Sequence, residues 1–557
     1  MNKITRSLIA PVVLLLLAHS YAAADTEKQR PNFLVVVLDD LGYSDLGVYG
    51  SEIQTPHINF LASRGVQFTD FHSGMTCSPT RAMLLSGVDS HQSGLGNMAG
   101  HMSNNQRGRP GYEGFLNQQV DTVASVLQQH GYQTYLSGKW HLGMQKGNHP
   151  VDRGFGRSFA LLNAGASYFS DMRGLVERTP KASYVADDKI VESLPDDFHA
   201  SEYFADRLIE FIESGTEDAP FFAYLALTAP HWPYQLPDNY LDRYHGQYDE
   251  GYDVARERRF AKMQKLGLVA ADQDFPERLE GVPAWSSLSK IDRKLEARRM
   301  ELYAALVEHA DAQVGRVLNY LEKSGALDNT WVFVMSDNGP EGNDRSRIAT
   351  NETWLPQAWD LSYENMGRRD SYVYYGPAWA QVSSTPFRLF KAFPTEGAIR
   401  VPLIVNPPLA QREVRLSDAP VTVRDIFPTL LGLAAITPQK TNHSVTTDSN
   451  SMLSHILNGH SPVHEHERVF GWELFGHRAI RRGDWKLVWI DSGTGQGNWS
   501  LFNLANDPSE SRDVADDHPD TFKQMLLGWQ AYVKENQVVL PTDNQSSAFG
   551  YEGMPRN

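Results

Sequence analysis

Apolar runs recur along the chain, and each ends in a cluster of polar residues. Asn32-Phe33-Leu34-Val35-Val36-Val37-Leu38 runs into Asp39-Asp40-Leu41-Gly42, and Trp331-Val332-Phe333-Val334-Met335 runs into Ser336-Asp337-Asn338-Gly339. A strand with no polar face is covered on both sides, the pattern of a parallel sheet between helices. Phe221-Phe222-Ala223-Tyr224-Leu225-Ala226-Leu227 is a third such run, followed by Thr228-Ala229-Pro230-His231-Trp232-Pro233. A shorter one over residues 131–136 turns through Ser137-Gly138-Lys139-Trp140-His141. In open α/β sheets ligands gather beyond the carboxyl ends of the strands, so these loops are expected at one crevice.

Helical spacing lies between the runs. Val120, Val123, Val126 and Leu127 share a face over residues 120–130, and Gly131 ends the pattern. Leu302, Leu306, Val314, Val317, Leu318 and Leu321 predict one long helix or two over residues 293–323. Residues 240–290 are polar and charged, which suits an insertion outside the core with a solvated helical face. A polar stretch at 437–448 marks the end of the large domain. Beyond it, two short strands flank an Arg482-Gly483-Asp484 turn, and a helix is expected over residues 520–534. The expected class is α/β: a large mixed, mostly parallel sheet flanked by helices, plus a smaller C-terminal antiparallel sheet with a helix. The divisions are a leader at 1–24, a main domain at 25–435, a linker at 436–465 and a C-terminal α+β subdomain at 466–557.

The leader has the form of a secretory signal: Lys3 and Arg6, then an apolar run from Leu8 to Ala18, then Ala22-Ala23-Ala24 as a cleavage site. That run is short of the roughly 20 apolar residues a membrane span needs. The expectation is a protein exported to the periplasm or beyond after cleavage near Ala24, with no stable membrane anchor. The formal charge of −16 argues against nucleic acid or an anionic membrane as the main partner, while leaving room for a small anion in a locally positive pocket. A hydrophobic fraction of 41% is enough for a large core without disulfides.

Cys77 is the only cysteine among 557 residues. A lone thiol in an oxidising compartment is buried and inert, intermolecular, or chemically special. Acidic pairs after strands are often turn or capping residues. Two such strand ends supply three carboxylates and an amide, a hard oxygen set that suits Ca²⁺ better than zinc. The aromatic stretch between Trp354 and Phe393 has two readings, a satellite cluster under a long loop or a wall for an apolar alcohol.

Cys77-Ser78-Pro79-Thr80-Arg81 resembles the sulfatase signature, which a maturation enzyme reads when it oxidises the cysteine to formylglycine. Ala82-Met83-Leu84-Leu85-Ser86-Gly87 is similar to the helix that follows it, with Ser86 where many members carry threonine, and Gly138-Lys139-Trp140-His141 is similar to the family's second signature. Leu501-Phe502-Asn503-Leu504-Ala505-Asn506-Asp507-Pro508 resembles the close of the family's C-terminal sheet. The resemblance spans almost the whole mature chain and is strongest to bacterial arylsulfatases of the formylglycine- and calcium-dependent type, with an alkaline-phosphatase-like fold. It implies that Asp39, Asp40, Asp337 and Asn338 hold Ca²⁺ together with a hydroxyl of modified Cys77. It implies that Arg81, Lys139 and Lys391 offset the charge of the sulfate and of the nucleophile. His141 would take the proton whose loss expels sulfate, and His231 with Lys391 would assist the leaving oxygen. The choice of Lys391 rests mainly on this resemblance. Phosphonate monoester or phosphodiester hydrolases of the same superfamily share the cysteine motif, but they resemble a site with histidine where this chain has Asn338. A non-catalytic binding protein on the same scaffold would be expected to lack one of these residues. The partners expected are a small sulfate ester and, transiently, the maturation enzyme.

Overall fold

The computed structural model describes residues 30–543 apart from 217, 346–348, 409–413, 438–448, 460 and 493–494. The expected signal at 1–24 and most of the 437–448 boundary lie outside the described residues. The frame is a ten-stranded sheet. Its centre is five parallel neighbours in the order Thr330–Ser336, Asn32–Leu38, Phe221–Ala226, Gln133–Lys139 and Arg157–Leu161. Antiparallel pairing closes both flanks, through Leu403–Asn406 on one side and Tyr184–Ala186 on the other. The sheet is therefore mixed and mostly parallel, as the unbroken apolar runs predict.

Register decides where the polar residues go. Leu38 pairs with Ser336, Val37 with Ala226, and Ala226 with Gly138, so these four strands end level with one another. Asp39, Asp337, Thr228 and Lys139 consequently leave the sheet at one edge. Gly138 is required there: its φ is +127°, and a Cβ would lie 1.9 Å from the carbonyl oxygen of Ala226.

The long pattern resolves into one helix, Lys290–Lys323, whose first turn is capped by Ser289. The earlier helix is shorter than its spacing suggests. It spans Val123–Gln129, because Thr122 and Ser125 form a reciprocal cap that starts it three residues after Val120.

Residues 240–290 are solvated over much of their length, with no buried residue at 271–280, but they do not lie outside the core, which corrects that part of the expectation from composition. The helix Gly251–Lys265 buries Tyr252, Arg259, Phe260 and Met263, and Tyr252 and Trp285 pack edge-on against Trp379. The sequence looks polar because the buried face is built from tyrosines and an arginine. Arg259 is 1% exposed at its side chain and reaches Asp45 at 2.5 Å and Glu52 at 2.8 Å. The 354–393 aromatics follow the packing reading for the most part: Trp359, Tyr375, Trp379, Phe387, Phe390 and Phe393 are buried in the large core.

The C-terminal sheet has four strands, Val469–Leu474, His477–Arg482, Trp485–Trp489 and Trp499–Asn503, antiparallel in sequence order. Its alternation is two-faced. Phe470, Trp472, Ala479 and Val488 join the core of the large domain, whereas Ile480, Leu487 and Leu501 face Met525, Trp529 and Tyr532 of the helix Pro519–Glu535. Within the expected linker at 436–465, Met452, Ile456 and Val463 pack into the main core, so its described part is structural. Among the described residues no helix is long and apolar enough to cross a membrane.

Arg259→Ala removes the cation between the buried Asp45 and the partly exposed Glu52 and, chiefly through Asp45, is expected to cost about 3 kcal/mol of stability. Equilibrium denaturation of both proteins checks this, and a loss near zero would show that Asp45 and Glu52 find water instead.

Candidate active site

The helix Cys77–Ser86 begins at Cys77 itself, and all ten of its residues are buried. Thr76 precedes it in an extended conformation without a side-chain cap, so the first backbone N–H groups of the helix point toward the crevice unused by Thr76. Thr80 Oγ1 accepts the N–H of Gly74 at 2.9 Å and donates to the Thr76 carbonyl at 3.0 Å, which folds the approach to Cys77 back on the helix.

Around Cys77 the strand ends deliver their charges. Oxygens of Asp39 and Asp337 and the Cys77 Sγ all lie within 4.8 Å of one another, and Asp39, Asp40 and His231 form a second such group. Each carboxylate has a cation: Lys139 Nζ donates to Asp39 at 2.6 Å, Arg81 to Asp337 at 2.7 Å, and Lys391 Nζ to the two oxygens of Asp40 at 2.7 and 2.9 Å. All six side chains are at most 3% exposed. The Nδ2 of Asn338 also donates to Asp40, at 2.7 Å. Glu341, which the sequence reading missed, lies 3.4 Å from Lys391 Nζ. Four buried carboxylates thus face three buried cations. Asp40 and His141 both hold left-handed backbone conformations, φ +66° and +54°, a strain that persists where surrounding structure over-determines it.

The electrostatics follow from burial and this crowding. Burial pushes Asp39 up to about 7, Asp337 and Asp40 add to the rise, and Lys139 and Arg81 oppose it. For Asp40, burial also acts upward, but Lys391, His231 and Lys139 together outweigh it and hold the group at about 2. Burial raises the Cys77 thiol, against Lys139 and Lys391. An unmodified Cys77 is therefore a protonated thiol, a weak nucleophile. His141 and His231 are both driven well below the ordinary imidazole range, by burial first; Lys139 and Arg81 add to this at His141, while Asp40 opposes it at His231. His231 Nδ1–H donates to the Trp232 carbonyl, which leaves Nε2 free to face Asp40 at 3.6 Å.

The donor set fits a hard divalent cation. Asp39 Oδ1 and Asn338 Oδ1 are buried and without a hydrogen-bond partner among the described residues, beside the Asp40 and Asp337 carboxylates. Buried oxygens are rarely left unmet, and oxygen ligands of this kind suit Ca²⁺. Every residue singled out from the sequence thus lies in or beside one buried cluster. Glu341 was missed because it follows the strand end in a loop without periodicity. Its position soon after Asp337 was the available signal.

The family model described as Sulfatase matches residues 31–436, a span that contains all these residues. The chain is 42% identical over 535 residues to an uncharacterized sulfatase of Schizosaccharomyces pombe, covering 93% of this chain and 96% of the relative. It is 36% identical over 442 residues to an arylsulfatase of Klebsiella aerogenes, covering 79% and 93%. Among solved structures, Ps i-CgsB in complex with k-i-k-neocarrahexaose superposes with a TM-score of 0.66 at 23% identity, covering 93% of this chain and 96% of that one. A matched span that runs from the first central strand past the Lys391 loop places the chain in the sulfatase family, as a sulfuric ester hydrolase.

Proposed function

We propose that the protein hydrolyses aryl sulfate monoesters through formylglycine made from Cys77, with calcium held by Asp39, Asp40, Asp337 and Asn338. The observation that carries the reading is the single cysteine at the first turn of a buried helix, ringed by three carboxylates and three cations. Aryl alcohols are preferred because the relative at 36% identity is an arylsulfatase. The Leu8 to Ala18 run supports export with cleavage near Ala24.

Calcium would neutralise the converging carboxylates and draw the sulfate end of the substrate into place. A hydrated formylglycine would supply two hydroxyls on one carbon, one to accept the sulfuryl group and one whose proton loss releases it. The chain's own residues do the rest. Arg81, Lys139 and Lys391 hold negative charge at the reacting end, and the N–H groups at the start of the Cys77 helix add to that field. His141, kept neutral by its surroundings, is a base able to take a proton beside residue 77. His231 serves the leaving oxygen, and the incoming sulfate supplies the negative charge that favours its protonated form.

Removal of calcium by a chelator is expected to lower turnover of 4-nitrophenyl sulfate by at least about a hundredfold, with recovery on adding Ca²⁺ back. Full activity in a sample shown by elemental analysis to be metal-free would overturn the metal assignment.

His231→Ala should act selectively on the leaving group. Alkyl sulfates are expected to lose about 10²–10⁴ in rate, whereas nitrophenyl sulfate, whose phenolate leaves unaided, loses far less. Equal losses across a leaving-group series would remove His231 from that role.

Cys77→Ser, produced where serine in this motif stays unmodified, lacks the second hydroxyl. It is expected to release no more than about one equivalent of alcohol per chain and to keep a sulfo group on the peptide containing residue 77. Sustained turnover by a variant confirmed by mass spectrometry to carry plain serine would falsify the two-hydroxyl mechanism.

A further inference from the structure

Beyond Glu341 the same loop carries two more buried polar side chains, and one of them, Arg345, reaches the residue after His231. Asn343 is 1% exposed, and neither atom of its side-chain amide has a hydrogen-bond partner among the described residues. Its backbone N–H donates to Glu341 at 3.1 Å, which fixes it next to the carboxylate that faces Lys391. Arg345 is 6% exposed and its guanidinium lies 4.1 Å over the ring of Trp232. Its Nε has no hydrogen-bond partner, nor does Nε1 of Trp232. Trp232 is the residue after His231, and the two rings lie 4.7 Å apart.

Arg345 shares with Arg256 deep burial, an unmet Nε, a ring beneath the guanidinium and no carboxylate within 4 Å among the described residues, and both differ from the other deeply buried arginines named next. Arg81, Arg259 and Arg481 each meet a carboxylate within 3 Å, and Arg153 gives its donors to main-chain carbonyls. Arg345 has no ion pair within 4 Å among the described residues, although Asp344 directly precedes it, and Glu341 of the same loop lies 3.4 Å from Lys391. Tyr372, whose ring lies 5.4 Å from that of Trp232, feels the Arg345 charge and shares a hydrogen bond with its side chain. A buried cation without a counter-charge is costly, and so is each buried polar atom left unmet. Four such atoms and a cation without a carboxylate partner belong to Trp232, Asn343 and Arg345, and Trp232 ties them to His231.

We infer that Arg345, Asn343 and Trp232 form a second anion subsite, which takes a carboxylate or further sulfate carried on the alcohol portion of the ester. The inference rests on the ester site proposed above and adds the class of alcohol that site prefers. His101 is pushed down to about 4 by burial first and then by the charges of Arg178 and Arg345. Arg178 is exposed and donates to the Gly100 carbonyl at 3.1 Å. In a chain whose formal charge is −16, this concentration of positive charge selects anions locally.

The test compares two esters of matched shape, 4-nitrophenyl sulfate bearing a ring carboxylate and its carboxamide analogue, with the substituent placed in turn at ring positions 2 and 3. Wild-type enzyme is expected to favour the carboxylate at one of these positions by about tenfold or more in kcat/KM, mostly through KM, with the preference shrinking as salt is raised. Arg345→Gln should bring that ratio to about one, Arg345→Lys should restore part of it, and Asn343→Ala should lower it by a smaller factor. A purely structural arginine would lower both esters alike and leave the ratio alone, which overturns the inference. A wild-type ratio near one at both positions overturns it without any variant, so a poorly folding Arg345→Gln does not protect it. Turnover of neither ester by wild-type protein with oxidised residue 77 and bound calcium would instead sink the sulfatase site reading itself.

Discussion

Three aspartates that repel one another are forced together at the edge of a sheet, and most of the molecule serves to make that tolerable. The constraint comes from register: strands that end level must place Asp39, Asp40 and Asp337 at one point. Burial removes the water that would screen them. The compensating cations arrive from three different parts of the chain, Arg81 from a helix, Lys139 from a strand end and Lys391 from a loop near residue 390. No local segment holds a neutral set, so the site exists only when the whole domain is assembled. The left-handed turns at Asp40 and His141 are further signs of how closely the backbone is held there.

The sequence was most legible where packing and chemistry coincide. Apolar runs such as residues 32–38 must be buried, and the residue after such a run must sit at a strand end, so the acidic clusters could be placed before any coordinates. The helix Gly251–Lys265 was illegible for the opposite reason. Tyr252 and Arg259 bury large apolar surface while carrying polar tips, and a pattern of hydrophobic and polar letters counts them on the wrong side. Loop residues were harder still. Asn343 and Arg345 follow no period, and only the three-dimensional path past Pro340 shows that Arg345 lies over Trp232 and Asn343 against Glu341. His231 could be placed because its strand, Phe221–Ala226, was visible, whereas Lys391 ends no such strand and its choice rested mainly on the family resemblance.

A second cluster shows why acidic and histidine side chains in proximity are insufficient to imply a metal. Asp70, His72 and Glu396 converge as tightly as the carboxylates around Cys77 do. Here the charges are already answered: Arg481 grips Asp70 through two bonds at 2.8 and 2.9 Å, and Lys486 reaches Glu396 at 2.6 Å and Glu510 at 2.8 Å. Orphaned oxygens such as those of Asp39 and Asn338 distinguish the two places better than proximity does.

The position of Lys486 carries a consequence for how this chain can evolve. Its amine is buried between a carboxylate of the large domain, Glu396, and one of the C-terminal segment, Glu510. Phe470 and Trp472 cross the same seam as apolar residues. A crossover between two genes that fell at this seam would pair one ancestor's lysine with another's carboxylates, and a mismatch would strand charge in the interior. The C-terminal sheet is thereby heritable only together with the domain it leans on. Substitutions on either side of the seam should be found as compensated pairs, never as a freely exchanged module.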